Sequence, residues 1–172
     1  PFNVRTGVHE YGGGAALVSG GAVFFSNKDD NALYAIESVN SVNSVNSMEG
    51  GGAPRALTAD PALRFADFVL DAGRRRLIAV CEDHRHAHPY PSNALRAVGL
   101  DGGLTLLVEG SDFYAAPRLS PDGSQLAWLS WDHPRMPWIG TELWVADVDT
   151  DGALGEPRLV AGGLDESICQ PE

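Results

Sequence analysis

Three histidines, His84, His86 and His88, alternate in the stretch Asp-His-Arg-His-Ala-His-Pro. Alternate side chains of an extended segment project to the same side, and imidazoles arranged in this way can bind zinc or copper. However, Arg85 intervenes, and the tract runs directly into Pro-Tyr-Pro, which favours a loop. Because Asp-His recurs later in the chain, we interpret it as the end of a repeated strand. A metal site formed by the three histidines is the alternative. We expect no bound metal or cofactor.

The triplet His9-Glu10-Tyr11, which precedes three consecutive glycines, is a second candidate for chemistry. A histidine and a carboxylate can act as general base and acid, because both can be tuned towards neutral pH. Nothing beside them in the sequence supplies a nucleophile or a metal ligand, and the glycines allow positive φ and close backbone approach. We therefore interpret the triplet as the entry into a sheet.

The sequence contains no nucleophile elbow. Serine hydrolases of the α/β type hold their nucleophile in Gly-x-Ser-x-Gly, on a strained turn between a strand and a helix. The chain has neither this motif nor a βαβ alternation that would support it. We expect no catalytic residue in the chain itself.

Charge and cysteine content narrow the partners and the compartment. The net charge of −11 would repel a phosphate backbone or an anionic membrane surface, so neither is an expected partner. No apolar run approaches the roughly 18 residues that span a bilayer. Cys81 and Cys169 are too few for a disulfide framework and are expected to be two buried thiols in a reducing compartment, which favours a cytoplasmic location.

The elements that must position these residues are short strands. They are rich in β-branched and aromatic residues and are separated by turn sequences such as Pro121-Asp122-Gly123. The predicted strands are residues 15–18, 22–26, 32–37, 54–58, 65–70, 77–82, 94–100, 104–109, 117–119, 126–131, 143–148 and 158–160. We interpret the four tryptophans, Trp128, Trp131, Trp138 and Trp144, as packing between sheets, with an aromatic binding face as the alternative.

An internal repeat organises these strands. Residues 77–84 (LIAVCEDH) and 126–133 (LAWLSWDH) match in pattern and lie 49 positions apart. Asn31-Ala32-Leu33 begins a first copy, and its longer spacing is absorbed by the Ser-Val-Asn tract within residues 38–52. A period of about 40–50 residues with four short strands is typical of a β-propeller blade.

We therefore predict an all-β fold, a partial β-propeller of about three four-stranded antiparallel blades in an open array. The blades are predicted at residues 11–58, 64–110 and 114–162, residues 163–172 begin another blade, and residues 38–52 are a low-complexity loop insertion. Three copies are too few to close a ring of about 4–8 blades, so we expect a fragment of a larger propeller.

Several motifs resemble the propeller of prolyl-oligopeptidase-family (S9) serine peptidases, in the acylaminoacyl- and dipeptidyl-peptidase-like branch. They are SPDG…LAW near residues 120–128, VHEYGGG at 8–14, WDHPRMPW with GTELWV at 131–145, and ESICQPE at 166–172. The resemblance covers nearly the whole chain and implies a segment that covers the active site and restricts access, with His9, Glu10 and Tyr11 as substrate-gating residues.

The resemblance also implies partners, namely a catalytic α/β-hydrolase domain, the remaining blades of the parent chain and peptide substrates. The alternative function is a non-enzymatic propeller that serves as a scaffold for protein–protein binding, because propellers host many functions. A propeller with its own hydrolytic metal site would rest on the histidine tract alone.

Overall fold

A computed structural model describes residues 1–37, 52–86 and 89–171. These residues form twelve strands in three four-stranded antiparallel sheets, which confirms the predicted all-β fold. The strands are β1 (Ala16–Ser19), β2 (Ala22–Ser26), β3 (Leu33–Glu37) and β4 (Arg55–Ala56) in sheet 1; β5 (Leu63–Asp71), β6 (Arg76–Asp83), β7 (Ser92–Gly99) and β8 (Leu104–Glu109) in sheet 2; and β9 (Phe113–Leu119), β10 (Gln125–Trp131), β11 (Glu142–Asp147) and β12 (Arg158–Gly162) in sheet 3.

Each sheet is a meander whose strands follow one another in space as they do in the sequence. The first strands of successive sheets, β1, β5 and β9, lie against one another, whereas the described parts of the outer strands β4, β8 and β12 do not meet. The sheets therefore fan outwards from their first strands. This is the arrangement of neighbouring propeller blades, and the three sheets form the predicted open array.

Two hydrophobic cores fill the spaces between the sheets. Phe24 and Leu33 of sheet 1 pack with Phe65 of sheet 2, and Trp128 and Leu126 of sheet 3 pack against its other face. Strand β6 is buried along its whole length and divides its side chains between the cores. Leu77, Ala79 and Cys81 enter the first core, while Ile78 and Val80 enter the second. A strand buried on both faces reads as a continuous apolar run, which explains the sequence LIAVC.

The first strands of sheets 2 and 3 carry bulges at equivalent positions. Asp67 in β5 and Ala116 in β9 both have positive φ, 51° and 49°, beside breaks in strand register. The Asp67 carboxylate accepts hydrogen bonds from the backbone N–H of Gly14 at 2.5 Å and of Ala116 at 3.2 Å. The Asp67 side chain, which belongs to sheet 2, thus links the segment that enters sheet 1 to sheet 3.

At the opposite end, Arg74 joins sheet 2 to sheet 3. It lies in the turn between β5 and β6, and its guanidinium donates to the carbonyl oxygens of Gly123 at 3.1 Å and Asp149 at 2.7 Å. The same guanidinium pairs with the buried carboxylate of Asp71 at 3.2 Å. Sheets 2 and 3 are therefore joined by polar contacts, at the centre of their first strands and at this turn, as well as by the core.

The two cysteines differ in their surroundings. Cys81 is buried in β6, and burial raises the pKa of its thiol to about 12. Cys169 is exposed, so the expectation of two buried thiols is wrong for this residue, because it lies after β12, outside the strands that form the cores. Within residues 1–37, 52–86 and 89–171, no helix has the length and apolar character that a membrane crossing requires.

Candidate functional site

The candidate residues gather at one end of the sheets. In each antiparallel blade, the beginning of the first strand lies beside the end of the second, as Leu63 lies opposite Asp83 and Phe113 opposite Trp131. The loops that follow β6 and β10 therefore emerge at the same end as the segment that enters β1. Residues that lie far apart in the sequence meet there.

Residues 1–14, which we call the strap, run across this end. Phe2 packs edge-on against Phe25, with ring centroids 5.3 Å apart, and Arg5 N–H donates to the carbonyl oxygen of Ser26 at 3.2 Å. The strap then crosses sheet 2, where Arg64 Nη1 donates to the Gly7 carbonyl oxygen at 3.1 Å, and Val8 enters the second core. It turns back towards β1 through its glycines, so it touches all three sheets.

Glu82, at the end of β6, holds the strap in place. Its side chain is 3% exposed, and its Oε2 accepts the backbone N–H of His9 at 2.7 Å. Its Oε1 accepts from Arg64 Nη1 at 3.0 Å and lies 2.6 Å from His84 Nε2. Arg64 and Glu82 are direct partners across the β5–β6 pair, which fixes their separation. These contacts stabilise a strained backbone, because His9 and Glu10 both have positive φ, 52° and 65°.

The His9 side chain lies between sheets 2 and 3. Its ring meets those of Phe113 and Trp131 edge-on, with centroids 5.1 and 5.9 Å away. Its Nε2 is buried, and the side chain of Asn93 is the hydrogen-bonding group next to the ring. Burial lowers the pKa of His9, against the opposing effect of the carboxylates of Glu82 and Asp67. The neutral imidazole is therefore favoured.

Aromatic rings continue from His9 in both directions and form what we call the aromatic row. Phe113 stacks on Trp131 with centroids 5.3 Å apart and lies 4.8 Å from the His133 ring, which stacks in turn on Tyr90 at 5.7 Å. The members in spatial order are Tyr11, His9, Phe113 with Trp131, His133 and Tyr90. Tyr11 and Tyr90 are about 70% exposed, so the row is solvent-accessible at both ends and buried in the middle.

The structure brings together two residues of the predicted triplet. His9 and Tyr11 lie in the row, 5.8 Å apart, whereas Glu10 is exposed and its carboxylate contacts no described residue through a hydrogen bond or ion pair. The carboxylate beside His9 is instead Glu82, which the sequence interpretation missed. A signal existed, since Glu82 occupies the repeat position of Trp131, 49 residues later, and is an acidic residue that ends an apolar strand.

The histidines of the tract lie in different surroundings. His84 lies against Glu82, His86 is exposed, and His88 lies outside the described residues. In the second copy, His133 Nδ1 lies 3.3 Å from Asp112 Oδ2. The part of the chain that the structure describes contains no group of three or more histidine, cysteine, aspartate or glutamate residues that can hold a metal ion.

The tryptophans also differ in their burial. Trp128 is buried in the second core, as the packing interpretation expects, and Trp131 belongs to the aromatic row. Trp138 is 70% exposed, in the loop between β10 and β11. The interpretation of Trp138 as a residue packed between sheets is wrong within this chain, because it lies in a loop and most of its side chain is exposed.

Comparison with solved structures identifies close relatives. Over 99% of its length, the chain matches a crystal structure of a puromycin hydrolase mutant complexed with PGG, with 37% sequence identity and a TM-score of 0.84. It also matches a puromycin-hydrolysing peptidase of Mycobacterium tuberculosis over 96% of its length, with 40% identity and a TM-score of 0.78. A chain of the nidogen/laminin complex, at 12% identity and a TM-score of 0.57, shares the fold alone. No family model matches the chain, and no curated protein matches it.

The match is extensive for this chain and partial for its relatives. The chain spans 27% of the puromycin hydrolase and 26% of the mycobacterial peptidase. The matched region contains all three four-stranded sheets, the internal repeat and the motifs quoted above. The chain therefore belongs to the prolyl-oligopeptidase (S9) family of serine peptidases, as a segment of its β-propeller.

Proposed function

We propose that this chain forms part of a propeller that covers the active site of a serine peptidase and restricts which substrates reach it. The observation that carries the proposal is the strap, which is fixed across one end of three sheets and presents the aromatic row beside it. Such a cover acts by sterics and by separating the reaction from bulk water. The relatives are named for puromycin hydrolysis. The parent protein is accordingly proposed to cleave peptides and aminoacyl amides in the cytoplasm.

The rigidity of this end supports a selective cover. Glu82 and Asp67 fix the strap by hydrogen bonds to its backbone at His9 and Gly14, so its position does not depend on exposed side chains. Tyr11 and Tyr90 project at the two ends of the row and are the side chains that an arriving substrate would meet. Glu10, which precedes Tyr11 in the sequence, adds an exposed negative charge at that end of the row.

The first test concerns where catalysis lies. The purified 172-residue chain is expected to hydrolyse no aminoacyl chromogen, because it contains no nucleophile elbow. The reading frame of the parent gene is expected to encode Gly-x-Ser-x-Gly, followed by aspartate and histidine, beyond Glu172. A parent that lacks this motif would exclude the peptidase and favour the protein-binding scaffold.

The second test concerns gating in the parent protein. Tyr11→Ala and Tyr90→Ala, singly and together, are expected to raise kcat/KM for a peptide of about 20 residues relative to a small aminoacyl chromogen. Val18→Ala is the matched control, since Val18 is equally exposed but lies beside the β1–β2 turn, at the opposite end of the sheets. If both substrates respond equally, or neither responds, the row does not gate.

A further inference from the structure

Two loops of sheet 3 carry exposed apolar side chains at the same end of the sheets as the strap. One loop joins β10 to β11, and the other follows β12, whose end lies beside the start of β11 because Gly162 pairs with Glu142. Large apolar patches are uncommon on the surface of monomeric proteins and mark interaction sites. The side chains that form what we call the loop patch are Met136 (38% exposed), Trp138 (70%), Ile139 (48%) and Leu164 (66%).

Hydrogen bonds fix the two loops to each other. Ser167 Oγ donates to the carbonyl oxygen of Pro137 at 2.7 Å. The Thr141 N–H donates to the carbonyl oxygen of Glu166 at 3.0 Å, and the Thr141 hydroxyl accepts the Ile168 N–H at 2.7 Å. Thr141 is 1% exposed, so the joint between the loops is buried. The loop patch therefore has a fixed shape, which reduces the entropy that a partner loses on binding.

The internal repeat shows that a neighbouring blade does not cover this position. Tyr90 lies in the loop between β6 and β7, 48 residues before Trp138, and is its counterpart in sheet 2. Sheet 3 packs against sheet 2 through the second core, yet Tyr90 remains 71% exposed. A further blade placed in the same way beside sheet 3 would leave Trp138 exposed as well. The partner of the loop patch must therefore lie over the end of the sheets and not beside them.

We propose that the loop patch is the seat of the catalytic domain of the parent protein, with Trp138 at its centre. The inference rests on the proposed function, because a cover must turn the end that carries the strap towards the active site. The chain spans 27% of the puromycin hydrolase and has no nucleophile elbow, so a catalytic domain belongs to the remaining length of the relatives. Tryptophans that become buried contribute strongly to protein interfaces.

The charges beside the loop patch define the surface that fits it. Asp165 and Glu166 follow Leu164 directly and are exposed, and neither forms an ion pair with another residue in the described ranges. The matching surface of the catalytic domain is therefore apolar at its centre and carries lysine or arginine at its rim, since opposite charges orient association. A second copy of this chain fits less well, because the acidic rims of the two copies would face each other.

Photo-cross-linking in the parent protein tests the contact. The photoreactive amino acid p-benzoylphenylalanine is placed at Trp138 in one variant and at Leu164 in a second, and cross-linked peptides are identified by mass spectrometry. Both positions are expected to form their main cross-link with a peptide of the catalytic domain. Val18 is the control position, because it is equally exposed but lies beside the β1–β2 turn at the opposite end, and it is expected to form none with that domain. Hydrolysis of a small aminoacyl chromogen verifies that each variant folds.

Four results would overturn the seat. They are a main cross-link from the loop patch to another blade, one to a second molecule, the absence of any cross-link, and a cross-link from Val18 to the catalytic domain. The seat and the gating function fail separately. Cross-links to the catalytic domain, with unchanged substrate selectivity in Tyr11→Ala and Tyr90→Ala, would support the seat and refute gating. Changed selectivity with cross-links to another blade would refute the seat alone.

Discussion

Replacing Glu82 by alanine is expected to release the strap and to lower stability by about 3 kcal/mol. The change removes the acceptor of three groups, namely His9 N–H, Arg64 Nη1 and His84 Nε2. Removing one partner of a buried ion pair costs about 3–5 kcal/mol. The lower end applies here, because the Arg64 side chain is 27% exposed and regains hydration.

Thermal unfolding measures the size of this effect. For a domain of about this length, 1 kcal/mol corresponds to roughly 2–4 °C, so Tm is expected to fall by about 6–12 °C. Glu37→Ala is the matched control, because it breaks an exposed ion pair with Arg55 at 3.1 Å. Exposed pairs contribute about 0–1 kcal/mol, and the control is expected to stay within about 4 °C of the unmodified protein.

Amide hydrogen exchange locates the effect. The Gly12 N–H donates to the Val8 carbonyl oxygen at 2.8 Å within the strap and exchanges only when the strap opens. A loss of about 3 kcal/mol corresponds to roughly 100-fold faster exchange at Gly12, with smaller changes in β10 and β11. If Glu82→Ala left both Tm and Gly12 exchange as they are in the Glu37→Ala control, Glu82 would not be the residue that holds the strap.

Three further predictions follow from other features. Gly162→Ala is expected to lower the free energy of unfolding by at least about 2 kcal/mol more than Gly103→Ala does. Both glycines have positive φ, but only at Gly162 would a Cβ overlap a backbone atom, the Thr141 carbonyl oxygen. Equal urea midpoints for the two variants would contradict this. Burial lowers the pKa of His9, so the unfolded chain binds the proton more readily than the folded chain does. Stability is therefore expected to fall as the pH drops below about 6.5, by at most about 1.4 kcal/mol per pH unit. His9→Gln is expected to flatten that dependence, and an unchanged slope would show that another group is responsible. The uncovered outward faces of sheets 1 and 3 are expected to make the chain self-associate as salt screens its net charge of −11, and sedimentation that shows a monomer at every salt concentration would contradict this prediction.

The strands could be predicted from the sequence because their signals are local. Alternation with a period of two, turn residues such as Asp122 and Gly123, and a 49-residue repeat are carried by neighbouring residues, so most predicted strands agree with the observed ones within a few residues. The largest difference is at β9, which begins at Phe113 and not at the predicted residue 117. The predicted strand at residues 54–58 is also shorter than expected, since only Arg55–Ala56 pair. That segment pairs with β3 alone and lies at the outer edge of sheet 1, where packing does not reinforce local preference.

The site depended on contacts that no local pattern encodes. His9 and Glu82 are 73 positions apart, and their hydrogen bond exists only because the strap crosses sheet 2. The sequence placed Glu10 next to His9 and suggested that pair, but consecutive positive φ values direct the Glu10 side chain to solvent, while β6 delivers a buried carboxylate instead. The sequence by itself determined the blades, since each is a set of adjacent strands. Only the tertiary structure decided which ends, rings and charges meet, because the fanning of the sheets sets the distances between residues of different blades.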